Sequence, residues 1–393
     1  MINIALKTFI GLIFCICIHF ACSTLQPNSN TSNEITLEEA KHNGIHIVIP
    51  DTGFHKIVEL RNRAVKSGFL GEKIYSEALL ISGIDTIRAR LRLKGDHTDH
   101  LKGSRWSYRI KTQGPVLNET KFSIQGMHTR AYFSEWLFHE LLGYEGLVRL
   151  QYEYIPITVN GIDSFSGVYA FESHFRSEIL KNQNKKVGPI LKFNEDKFWD
   201  YKNKAGKGQD RDSLIRTISK IQLTNKKGFN KKDGVKAKEM LGAYIHQKVK
   251  AEEVFDMKKW AKFMTVNAFM SGKHALRWHN LRFYLNPETD LLEPVGFDLS
   301  SWFLKKGTWH LHKDSVESFY QSFYESNEFK QELIHSTQRM SEKSYLDQFF
   351  NERENKIDEC VDAIREERPH YKFKSSGLYL IQDIFKKGLE SLD

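Results

Sequence analysis

Three stretches of the chain hold residue types that could do chemistry together. The first is LRLKGDHTDHLKGSRWSYRIK, residues 91–111. A strand–turn–strand unit with Lys94 and Gly95 entering its turn can fold backbone amides over a phosphate. A lysine on the second strand, Lys111, could then reach the same phosphates as a point charge. The second is SGKHALRWHNLRFYLNPETDLLEPVGFD, residues 271–298. A polar loop with His274, Arg277, His279 and Asn280 leads into a hairpin that ends on Asp298. An Asn and an Asp brought together this way offer two hard oxygen ligands. Mg²⁺ takes one or two such ligands and shares its remaining positions with phosphates and water. Phosphotransferases hold metal against a nucleotide by this layout. The third stretch, residues 130–142, has helical spacing and sets Glu135 four residues before His139. A helix Glu paired with a strand Lys positions the phosphate-holding Lys of kinase-like folds. Each stretch also has a plainer reading: a polar hairpin, an Asn turn with a surface Asp, and a solvated helix face.

Other chemistries find less support. His274 and His279 stand five apart, which is not a one-face helical spacing, and a zinc site would need distant His97, His100, His310 or His312 as well. There is no Gly-x-Ser-x-Gly elbow for a Ser-His-Asp hydrolase and no Walker pattern. Of four cysteines, Cys15, Cys17 and Cys22 lie in the first 22 residues, leaving Cys360 as the only thiol of the body. A disulfide scaffold is therefore excluded, and a cysteine-rich zinc site is not expected.

The elements that must position these residues can be read from periodicity. Residues 86–94 (TIRARLRLK) alternate strictly, with Ile87, Ala89, Leu91 and Leu93 on one side and three arginines on the other, which predicts a half-buried strand. SYRIK, residues 107–111, alternates again. Residues 45–50 predict a strand and 54–67 a helix. Residues 152–159 and 166–171 predict strands joined through Asn160-Gly161. Farther on, Asp256 can cap a helix over 257–271. Residues 281–285 and 292–297 pair across an Asn-Pro-Glu-Thr turn, and helical segments follow to the end. Strands dominate early and helices late, which predicts an α+β architecture with two lobes. The 393 residues suffice for two to three such units.

The net charge of +9 is concentrated. Residues 202–238 hold twelve Lys/Arg against three Asp, so this stretch alone accounts for +9 and the rest sums to zero. It is Gly- and Asn-rich around one short helical patch at 213–223, and reads as a basic insertion or linker over 202–250. As a patch it could meet phosphates or anionic lipid. With Phe229 its only aromatic, nucleic-acid binding is not expected. At the start, residues 1–22 carry Lys7 followed by an apolar run, too short to span a bilayer but suited to a secretory signal. Ala21-Cys22 resembles a bacterial lipoprotein cleavage site, with Cys22 as the lipidated residue. A polar tether over 23–40 follows. These features predict an exported protein, lipid-anchored to a bacterial membrane.

Taken together, RLKGDHTDHLKGSRWSYRIK, FHELLGYEGLVRLQYEYIPITVNG, GVYAFESHF, GPILKFNEDKFW and HALRWHNLRFYLNPETDLLEPVGFD resemble the CotH kinase family, named for a spore-coat protein kinase. The likeness runs in order over residues 45–302 and is strongest to a subfamily with a HALRWHN-type loop. It implies an atypical protein-kinase-like fold with a strand-rich N-lobe (41–201) and a helix-rich C-lobe (251–393). It also implies ATP and Mg²⁺ as cofactors and Ser/Thr of a protein acceptor as substrate. By position it implies Lys111 as the strand Lys for phosphates, Glu135 as its helix partner and Lys94-Gly95-Asp96 as the phosphate turn. Glu172 would stand near adenine, and Asn280 and Asp298 would be the metal ligands. The family's catalytic-loop Asp, about five residues before the Asn, is replaced here by Ala275 beside His274. Either His274 takes the acceptor proton, since an imidazole can do so at neutral pH, or the chain binds nucleotide as a surface-assembly protein with little transfer.

Overall fold

The computed structural model describes residues 34–95, 98–195, 219–299 and 311–389. The leader and Cys22, Asp96, and the first part of the basic stretch lie outside that set. Among the described residues no helix is long and apolar enough to cross a membrane.

Alternating apolar residues build the first half. Seven strands close into a barrel: β1 (Ile45–Val48), β2 (Ser76–Ser82), β3 (Asp85–Leu93), β4 (Tyr108–Val116), β5 (Glu119–Gly126), β6 (Tyr152–Val159) and β7 (Gly167–Ser173). Their order is β1-β2-β3-β4-β5-β7-β6. Neighbours are antiparallel except at the closing seam, where β1 runs parallel to β6. Ile87, Ala89, Leu91 and Leu93 point inward as their period of two requires, with Ile47, Leu80, Ile110, Phe122 and Phe171 in the same core. Helices α1 (Leu37–Asn43) and α2 (Asp51–Ser67) lie against the barrel. Helix α1 is capped by the Thr36 hydroxyl. Strand β2 (SEALLIS) breaks the alternation with Leu79, Leu80 and Ile81 in succession, and β5, which does alternate over residues 121–125, was not predicted.

Helix α3 (Phe133–Tyr144) follows a sharp break. Arg130 ends a short 3-10 turn, and Ala131 and Tyr132 both take positive φ before the helix begins. The expected helix over 130–142 therefore starts three residues late and runs through Gly143. Its residues 133–142 are all buried, so Glu135 and His139 do not lie on a solvated face. After α4 (Ser177–Lys181), strand β8 (Ile190–Phe193) enters a second sheet.

That sheet orders β11-β10-β8-β9, from β9 (Ile221–Leu223), β10 (Arg282–Asn286) and β11 (Leu291–Pro294). The described part of the basic stretch is thus not a loop. Residues 221–223 form a strand rather than the end of a helix, and helix α5 (Lys231–Ile245) buries Ala237, Leu241 and Tyr244 in the main core. Helix α6 (Met257–Phe269) begins at the Asp256 cap as predicted and runs through the centre. Helices α7 (Ser318–Gln321), α8 (Asn327–Ser341), α9 (Lys343–Arg365) and α10 (Ser376–Leu389) complete the second half. The architecture is mixed α+β.

The outer wall of β6 and β7 joins the two halves. Tyr152, Tyr154, Val168 and Ala170 belong to the same apolar core as Trp136 of α3 and Trp260 of α6. This wall holds the barrel against the helices and leaves a cleft beside it.

Candidate functional site

Lys94 leaves the end of β3 and is buried at the floor of the cleft. Its ammonium donates to Glu172 Oε1 at 2.7 Å and to Gln125 Oε1 at 2.8 Å, using two of its three donors. Gln125 Nε2 in turn donates to Glu172 Oε2 at 3.2 Å. The strand register explains the grouping: Gln125 and Glu172 project outward from the neighbouring strands β5 and β7. Burial, opposed mainly by Glu172, brings Lys94 down to about 8. Gly95 carries the chain away with φ +98°, and a Cβ there would stand 2.7 Å from His100 Cδ2. Only glycine fits this turn without strain. His100 is buried over the turn and shares a hydrogen bond with Ser107 Oγ at 2.9 Å. Burial, then Arg130 and Lys94, pushes its pKa well below the usual imidazole range.

The opposite wall comes from the second half. Ser271, with positive φ, ends the helical run, and tight turns carry the chain to Asn280. The Asn280 amide donates to the His274 carbonyl at 2.9 Å, which leaves its side-chain oxygen as a possible ligand. The β10–β11 hairpin then returns the chain to Asp298, which also has positive φ. The Asp298 carboxylate stands 3.2 Å from Arg130 Nη2 and 3.4 Å from His274 Nε2. Burial alone would raise its pKa, but Arg130, then His274 and Lys94, hold it well below the carboxylate range. His279, mainly through burial and then His274, is brought down to about 4 and is a neutral imidazole at neutral pH.

These walls enclose about 380 Å³ lined by Lys94, Gly95, His100, Arg109, Arg130, His274, Asn280 and Asp298, among others. Six Lys/Arg line it (Lys73, Arg92, Lys94, Arg109, Arg130, Arg282) against three carboxylates (Asp99, Glu195, Asp298). That balance suits a polyanion. A larger hollow of about 650 Å³ lies beside Tyr244 and Ser322. It lacks such a convergence, so chemistry and not size selects the cleft.

The predicted residues divide. Lys94, Gly95, His274, Asn280 and Asp298 come together in the cleft, and Glu172 lies beneath it. Lys111 does not line it. Its ammonium rests 4.5 Å over the Tyr75 ring, two residues along β4 from Arg109, so Lys94 stands where Lys111 was expected. Glu135 does not pair with Lys111 either. It accepts the Leu299 amide at 3.1 Å and faces His139 Nε2 at 3.5 Å, which ties α3 to the segment carrying Asp298. Glu172 serves as the partner of Lys94. Sequence reasoning missed Arg130, Arg109, Arg92 and Gln125. The outward arginines of RARLRLK carry a signal that alternation does reveal, but a covered outer face looks the same in sequence as a solvated one.

The Mg²⁺ implied by the family resemblance can be tested against these residues. Among the described residues no three His, Cys, Asp or Glu side chains cluster as metal ligands. Asn280 and Asp298 supply two oxygen donors on one wall, which is the protein share Mg²⁺ ordinarily takes. Asp298 Oδ1 is buried and makes no hydrogen bond, its close neighbour being the Arg130 guanidinium in an ion pair at 3.2 Å. The donor set fits.

No family model and no curated protein matches the chain. Among solved structures, the toxin–antitoxin complex of HipA, HipB and operator DNA from Shewanella oneidensis MR-1 is similar with a TM-score of 0.27 and 11% identity. The similarity covers 69% of this chain, which spans 57% of that one. A likeness at this level carries no functional conclusion.

Proposed function

We propose that this cleft is the nucleotide site of an ATP- and Mg²⁺-dependent phosphotransferase of CotH type, acting on Ser/Thr hydroxyls of a protein acceptor. The observation that carries the reading is the meeting of Lys94, paired with Glu172 on the barrel, with Asn280 and Asp298 from the helical half. Lys94, Arg109 and Arg130 oppose the phosphate oxygens. Asn280 and Asp298 hold Mg²⁺, which supplies neutralisation of phosphate charge. His274, partly exposed beside Asp298, accepts the proton of the acceptor hydroxyl as its oxygen bonds to the terminal phosphorus and the diphosphate leaves. Such transfer depends mostly on positioning and charge, so the missing catalytic-loop Asp is tolerable. The lipid anchor at Cys22 remains part of the proposal on sequence grounds alone.

A second reading, nucleotide binding without transfer in a surface-assembly protein, draws on Ala275 and on the Arg130 guanidinium already seated on Asp298. Labelled ATP separates the two. Transfer to a protein acceptor that disappears in His274→Ala supports the enzyme; tight binding with no transfer supports the scaffold.

The site itself is tested by thermal melting, because a ligand that binds only the folded chain must raise the melting temperature. ATP with Mg²⁺ should raise it, ATP with chelator less so, and Asp298→Ala should erase the difference. An equal shift with and without Mg²⁺ in the wild type would remove Asn280 and Asp298 from the metal site.

A further inference from the structure

The cations on the outer wall of the barrel continue past the cleft. Register sets Arg92 opposite Arg109. Two residues along the strands, it sets Arg90 opposite Lys111 and Lys111 opposite Lys121. The five share one face of three adjacent strands, where opposed residues lie about 5 Å apart and like charges repel. Tyr75 gathers two of them, with Lys111 at 4.5 Å and Arg92 at 5.7 Å from its ring.

Acidic partners are few. Glu77 stands opposite Arg90. Glu172 is held by Lys94 at 2.7 Å and also faces the charges of Arg130 and Arg109. Glu178 is engaged by Arg176 at 3.3 Å and accepts from Thr120 at 2.9 Å. Arg109 and Lys121 form no ion pair or hydrogen bond with a described residue. Neither is fully exposed, so water screens their repulsion incompletely. Burial, then Arg109, Lys111, Arg176 and Arg92, brings Lys121 down to about 7. A solvated face would spread such charges into water; this one holds Arg92, Arg109, Lys111 and Lys121 together half-buried, with Arg90 exposed beside Lys111.

We propose that Arg90, Lys111 and Lys121, which stand in one cross-strand row outside the cleft, form a second phosphate-binding subsite on the outer face of β3, β4 and β5, which takes a phosphate monoester already carried by the acceptor protein. The word acceptor rests on the phosphotransferase reading; the subsite does not. A phosphate dianion matches several convergent donors, one of them a guanidinium fork. Lys111 and Lys121 do not line the cleft, which separates the subsite from the Lys94 and Asp298 clamp.

Calorimetric titration of the full chain tests this. The probes are a phosphoserine peptide of otherwise uncharged residues, its unphosphorylated twin, inorganic phosphate and Mg-ATP. The phosphopeptide should bind and the twin should not. The double variant Lys111→Ala/Lys121→Ala should weaken the phosphopeptide about tenfold or more, the worth of one charge-assisted hydrogen bond, and leave Mg-ATP binding unchanged. Lys111→Arg/Lys121→Arg should retain phosphopeptide binding, which guards against a fold defect in the alanine variant. A phosphopeptide that binds no better than its twin, or ignores the alanine variant, overturns the subsite. Parallel loss of Mg-ATP binding overturns its separateness. Inorganic phosphate binding as tightly as the peptide overturns the assignment to an acceptor. None of these outcomes bears on the Mg²⁺ dependence at Asp298, so the two proposals fail independently.

Discussion

Glu172 and Asp298 bear charge in the cleft and Glu119 lies buried elsewhere on the barrel, and their responses to pH run in opposite directions. Burial raises both cleft carboxyls, but Lys94 at Glu172 and Arg130 at Asp298 outweigh it, so each ends below its ordinary value. In acid the unfolded chain then binds more protons than the folded one. The stability these groups contribute is present above an ordinary pKa of 4.5 for Glu and 3.8 for Asp, and is lost as pH falls through the lower folded values. Glu119 is the reverse. Burial, then Glu178, raises it to about 9, and neither of its oxygens has a hydrogen-bond partner among the described residues. It keeps its proton where the unfolded chain has released it, so it costs stability as pH rises from 4.5 towards 9. Glu119→Gln should therefore stabilise the protein at pH 8 by about 1–2 kcal/mol and change little at pH 4.5, measured by urea unfolding at both values. At this scale the sequence was legible where residue type is decisive. Lys94, Gly95, Asn280 and Asp298, singled out by residue type, come together in one cleft. Lys111 was misplaced because alternation assigns a face but not how far along the strand the neighbouring half covers it.

Helix α5 shows why an element can be hidden by its own charge. Lys231, Lys232, Lys236 and Lys238 dominate its composition, yet Ala237, Leu241 and Tyr244 follow a helical stripe and are buried. Asn230 caps it through the Lys232 amide at 3.0 Å, and β9 before it pairs with β8. A solvated insertion would tolerate truncation at these positions. A core helix would not: Leu241→Ala should cost about 2–5 kcal/mol in urea unfolding. A loss under about 0.5 kcal/mol, typical of a surface change, would return this stretch to the role of a linker. Strongly periodic elements such as β3 and α6 were legible within a few residues, whereas β4 runs to Val116, five residues past the expected 107–111. Strand β5 was not predicted, although Lys121-Phe122-Ser123-Ile124-Gln125 alternates and puts Phe122 and Ile124 in the barrel core; the run is short and follows β4 after a two-residue turn. The three-residue shift at the start of α3 traces to positive φ at Ala131 and Tyr132, which neither residue type announces.

At the scale of the molecule the two halves are distinct in composition but share a core. The wall formed by Tyr152, Tyr154, Val168 and Ala170 is covered by the helical half, the Glu135 carboxylate holds the Leu299 amide, and Arg105 reaches Glu367 at 2.8 Å. Residues 34–195 produced alone should expose that wall and α3. The fragment should bind a hydrophobic dye and resist proteolysis poorly; a compact, protease-resistant monomer would mean the barrel half is self-sufficient. The succession of strands then helices was legible from the sequence. The barrel was not, since closure depends on β1 meeting β6 across more than a hundred residues of chain, and no local pattern encodes so distant a pairing.

That closing seam has a consequence for recognition. Among the described residues the closed sheet has no edge strand, so it offers no long free row of amides and carbonyls for a strand of another polypeptide to zip onto. Whatever docks on this half must be read by side chains and by shape, and cannot gain its hold by extending the ladder.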